Sequence, residues 1–96
     1  MRTYEIMLIL PVDAEESTVT AAKDRIEQVI GSSGGEVTKV DPWGRRRLAY
    51  EIDRHTEGTY LVVGCTADPA SIRELERVLT LADEVIRFKV VVREAA

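Results

Sequence analysis

Asp41-Pro42-Trp43-Gly44-Arg45-Arg46-Arg47-Leu48-Ala49-Tyr50-Glu51-Ile52 decides how this chain is read, because three consecutive arginines sit inside a segment with the period of a β-strand. Leu48, Tyr50 and Ile52 alternate onto one face, while Arg45, Arg47, Ala49 and Glu51 take the other. Pro42 lacks an N–H and Gly44 lacks a Cβ, so the strand is expected to bulge or bend between them. Trp43, at that bend, should either cap the edge of the core or stack on something. A strand holds its arginines on a rigid edge. Each guanidinium presents five donors in a fixed fork that fits phosphate or carboxylate oxygens, and its plane stacks on bases, so the run points to a partner. The competing expectation is that the charges only keep an edge strand from pairing with another sheet.

Downstream, Asp53-Arg54-His55-Thr56-Glu57-Gly58 has the length and composition of a hairpin connection. It leads into a strand from Thr59 to Thr66, with Leu61, Val63 and Cys65 on one face and Tyr60, Val62 and Gly64 on the other. Asp68 and Pro69 then start a helix whose inward stripe is Ile72, Leu75, Val78, Leu79 and Ala82. A last strand, Val85 to Arg93, alternates Ile86, Phe88, Val90 and Val92 against Arg87, Lys89, Val91 and Arg93. Upstream, the extended segment begins at Glu36, after Gly31-Ser32-Ser33-Gly34-Gly35 ends a helix marked by Val19, Ala22, Ile26, Val29 and Ile30. Asp13 with Glu16 reads as an acidic capping box for that helix. Before it, Thr3 to Leu10 is apolar on both faces, as expected of a central strand paired on both sides.

The order is therefore β-α-β-β-α-β, the ferredoxin-like pattern of an α+β fold: a four-stranded antiparallel sheet with two helices on one face. The 96 residues suit one such domain spanning 1–96. Function is then expected on the face that the helices leave open and along its edges. In this phase that face carries Met7, Ile9, Tyr60, Val62 and Val91 beside Arg87, Lys89 and Arg93, an apolar strip rimmed by cations.

Thirteen basic residues against 17 acidic ones give a formal net charge of −4, so the chain is not one that coats nucleic acid by bulk attraction. Ten of the 13 are arginines, which favours placed contacts over a diffuse field. Cys65 is the only cysteine, which excludes an intrachain disulfide and suits a reducing compartment; in an apolar strand it reads as a small buried hydrophobe. With one cysteine and one histidine, no metal site or Cys-His catalytic pair is suggested, and no cofactor or small-molecule substrate is expected. Ile6-Met7-Leu8-Ile9-Leu10 is too short to span a membrane or to act as an export signal, so the protein is expected to stay in the cytoplasm.

Five pieces of the chain resemble the bacterial small-subunit ribosomal protein six family. They are Met1-Arg2-Thr3-Tyr4-Glu5, Gly35 before the second strand, Gly44-Arg45-Arg46-Arg47-Leu48-Ala49-Tyr50-Glu51-Ile52, Glu57-Gly58-Thr59-Tyr60, and Ile86-Arg87-Phe88. The resemblance implies a ribosome-bound protein that pairs with small-subunit ribosomal protein eighteen and binds the central domain, or platform, of the small-subunit ribosomal RNA. It makes Arg2, Arg45, Arg46, Arg47, Arg87, Lys89 and Arg93 candidates for RNA or partner contact, and Met7, Tyr60, Val62 and Val91 candidates for docking the partner. The alternative on the same topology is a single-stranded RNA reader of RNA-recognition-motif type, which needs aromatic residues on both central strands; here only Tyr60 qualifies. A phosphate-processing enzyme is disfavoured, because Pro11-Val12-Asp13-Ala14-Glu15-Glu16 puts acid where phosphate would have to be cradled.

Overall fold

The computed structural model describes residues 1–52 and 54–93. The elements run β1 (Arg2–Pro11), α1 (Glu16–Ser32), β2 (Glu36–Ile52), β3 (His55–Ala67), α2 (Pro69–Leu81) and β4 (Arg87–Val92). The strands form one antiparallel sheet in the order β2-β3-β1-β4, which is the ferredoxin-like arrangement expected from the sequence. β1 is central, and its alternation is expressed directly in burial: Tyr4, Ile6, Leu8 and Leu10 lie under the helices, while Met7 and Ile9 are half-buried on the opposite face.

The core is closed by Ala22, Ile26 and Ile30 of α1 and by Ile72, Leu75 and Leu79 of α2, packed on Leu61, Val63 and Cys65 of β3. These helical positions recur at three and four residues, which puts each set on one stripe. Ser71 is the only buried polar side chain among the described residues. Its hydroxyl shares a short hydrogen bond with that of Ser33, tying the start of α2 to the end of α1.

Three boundaries differ from the sequence reading by more than one residue. The capping box at Asp13 is not formed: a turn closed by the Ala14 N–H on the Pro11 carbonyl, 2.9 Å, uses up those residues, and Glu15 becomes the N-cap without a side-chain cap bond. The hairpin connection is shorter than expected, since β3 already begins at His55. The last strand proper is Arg87–Val92, although the Ile86 and Arg93 amides extend its pairing by donating to Ile9 and Thr3 at 2.8 and 2.7 Å. At the end of α1 the chain reverses through Gly34, whose φ of +86° suits glycine, and the Gly35 amide donates to the Ile30 carbonyl at 2.9 Å.

Candidate interface on the open sheet face

Strand pairing lines the open face up in rows. Asp41, Val62, Met7 and Lys89 form one row; Gly44, Tyr60, Ile9 and Arg87 form the next; Lys39, Gly64, Glu5 and Val91 flank the first on its other side. The phase expected from the sequence therefore holds, with one correction. Val62 belongs to this face by register but is only 4% exposed, so it is floor rather than contact surface. Met7, Tyr60 and Val91, by contrast, stay half-exposed.

Glu5 organises the cations at one end. Lys39 Nζ reaches one of its carboxylate oxygens at 3.0 Å and Arg93 Nε the other at 2.9 Å, which joins β2, β1 and β4 through side chains. Hydrogen bonds from Lys39 and then Arg93 hold the Glu5 carboxyl below its ordinary range. Arg93 thus has an internal partner. Arg87 and Lys89 have no ion pair among the described residues and are exposed. Arg2 opens β1 opposite Ala67, at the far end of the sheet from Arg87.

The arginine run is divided. Arg45 is held by Glu57, with Nη2 and Nε at 2.8 and 3.2 Å from one carboxylate oxygen. Arg46 makes one long bond to the Arg45 carbonyl, and Arg47 makes no ion pair among the described residues. By register Arg45 and Arg47 share the side of Thr59 and Glu57, and Arg46 the side of Gly58. β1 pairs no further than Pro11 with Gly58, so the outer part of the β2–β3 hairpin projects beyond it.

The β2–β3 pairing is irregular at three places, between Val37 and Lys39, between Pro42 and Gly44 and between Arg47 and Ile52, and the last two shape the candidate surface. Between the pairs Arg47↔Glu57 and Ile52↔His55, the four residues Leu48 to Glu51 face Thr56 alone, so β2 bows outward. Leu48 and Ile52, at the two ends of that bow, are buried, and Gly58 lets the strands close: a Cβ there would fall 2.5 Å from Ile9 Cγ2. Leu48, Tyr50 and Ile52 line a cleft of about 390 Å³ with Met7, Ile9, Tyr60 and the cations Arg87 and Lys89. The alternation of Leu48, Tyr50 and Ile52 was the signal for this wall; the bow that turns it toward the sheet left none. The second irregularity lies between Pro42 and Gly44, as expected, with Gly44 at φ +77°. It carries Trp43 over the open face, where the indole lies parallel to Tyr60, with ring centroids 6.4 Å apart and planes 4° from parallel.

A four-stranded antiparallel sheet with helices on one face and an apolar, cation-edged surface on the other defines a domain of the ferredoxin-like class. A sequence profile for ribosomal protein S6 matches residues 3–92. The chain is 54% identical over 91 residues to the small ribosomal subunit protein bS6 of Salinispora arenicola, covering 95% of each. It is 43% identical to the protein of that name from Desulforamulus reducens, covering 95% and 96%. The crystal structure of 30S ribosomal protein S6 from Thermotoga maritima superposes with a TM-score of 0.84 at 31% identity, covering 96% of this chain and 87% of that one. The C-terminal domain of the MgtC protein from Mycobacterium tuberculosis, with a TM-score of 0.65 at 16% identity, shares the fold alone. The chain belongs to the ribosomal protein S6 family of the small ribosomal subunit. That is a family of structural ribosomal proteins and not a class of enzymes.

Proposed function

We propose that this chain binds the central-domain platform of small-subunit ribosomal RNA as one half of a pair with small-subunit ribosomal protein eighteen, on the ribosome in the cytoplasm. The observation that carries the reading is the open face itself. A floor of Met7, Ile9 and Tyr60 gives apolar area to a protein partner, and Arg87 and Lys89 at its β4 edge have no ion pair among the described residues. Arg46, in register with Gly58, and Arg47, further along the hairpin, supply additional cations.

A net charge of −4 fits such a division of labour. RNA affinity grows with the number of phosphates neutralised, so an acidic chain with a few placed arginines needs a more basic companion to bind tightly. The test is to measure binding of an RNA fragment containing the platform junction by this chain, by small-subunit ribosomal protein eighteen, and by both together. Tight binding only by the pair is the expected result. Equal binding by this chain alone would overturn the proposal.

A further inference from the structure

We propose that Asp41 and Trp43 form a seat for a basic side chain, an arginine or lysine of the protein partner, and that this seat sets which way round the partner lies on the open face. The inference deepens the function proposed above and rests on it. Trp43 is 43% exposed with its ring parallel to that of Tyr60 and the centroids 6.4 Å apart, so much of the indole is open to a partner. Its Nε1–H donates to Asp41 Oδ2 at 3.2 Å, which orients the ring beside a carboxylate. Asp41 makes no ion pair among the described residues, and its second oxygen has no hydrogen-bond partner there.

An exposed indole face next to an unpaired carboxylate is suited to a cation, which the ring quadrupole and the carboxylate attract together. RNA phosphate would be repelled by Asp41, so the occupant is a protein side chain rather than the nucleic acid. The row that contains Asp41 makes the seat directional: it begins at this acid, crosses Val62 and Met7, and ends at Lys89, which also lacks an ion pair among the described residues. A segment crossing that row matches both ends only with its base toward β2 and its acid toward β4. The reversed placement would bring like charges together at both ends.

Trp43 is the only tryptophan, so its fluorescence reports on the seat alone. Titration of the chain with purified small-subunit ribosomal protein eighteen should change that emission. Asp41→Asn and Trp43→Leu should each weaken binding by about five- to thirtyfold, with Trp43→Phe falling between Trp43→Leu and the unmodified chain. Asp41 is exposed and outside the core, so Asp41→Asn tests the seat even if Trp43→Leu disturbs Tyr60. Undiminished binding by both variants, or an emission change caused by the RNA fragment alone with tighter RNA binding by Asp41→Asn, would overturn the seat while leaving the pairing intact. Failure of the unmodified chain to bind the partner at all would instead overturn the function proposed above, and the seat with it.

Discussion

A methyl group at Gly35 has nowhere to go. It would lie 2.6 Å from the Thr66 carbonyl, 2.8 Å from Ile30 Cγ2 and 3.0 Å from the Ile30 carbonyl, and two of those three atoms are backbone that cannot swing aside. Gly35→Ala should therefore cost about 1–3 kcal/mol in urea unfolding, the range for overpacking. Gly31→Ala is the matched control: it lies within α1 with no atom inside 4 Å of the added carbon, and should stabilise by roughly 0.5–1 kcal/mol. Glu5 supplies the pH dependence at this scale. Its folded pKa lies below the ordinary value of 4.5, because Lys39 and Arg93 bond the ionised form. The stabilisation is complete above that ordinary value and is lost as pH falls through the lower folded one. Unfolding from pH 6 down to pH 3 should thus show a steeper loss of stability for the native chain than for Glu5→Gln. Equal slopes would show that the two bases do not hold the carboxylate in solution. Cys65 was legible from its neighbours alone: it is fully buried, and burial pushes its thiol pKa up.

At the scale of the element, the projecting hairpin separates two uses of arginine that the sequence presents as one run. Glu57 pairs with Arg45, whereas Arg46 and Arg47 make no ion pair among the described residues. Arg46→Gln combined with Arg47→Gln should lower the salt dependence of RNA binding by the assembled pair by about one unit for each phosphate left without its arginine, while Arg45→Gln changes it little. A normal salt slope with reduced solubility of the free chain is the result expected if the arginines only guard an edge, and it would remove their role in recognition. Strand alternation was enough to foresee which side of Tyr50-Glu51-Ile52 is apolar. It could not foresee the bow at Leu48 to Glu51, because the number of residues facing Thr56 depends on the partner strand and not on the local pattern. Val62 departs from expectation for a related reason: periodicity assigns a face, and exposure then depends on what the adjacent strands put beside it.

For the whole molecule, the β-α-β-β-α-β order was readable because each segment states its own period, and Gly, Pro and Ser mark where the period changes. The ion-pair centre at Glu5 and the choice of Tyr60 as the ring beside Trp43 were not readable, since each joins residues from strands whose adjacency exists only after folding. The strand order also bears on how the chain is made. β1 is synthesised before the other three strands and lies between β3 and β4, pairing Tyr4 with Val92 and Ile9 with Arg87 across nearly the whole sequence. A nascent chain therefore carries an apolar strand with one unsatisfied edge until β4 has left the exit tunnel. The sheet closes only at that late point, and until then the open edge is where the unfinished protein is most prone to pair with the wrong neighbour.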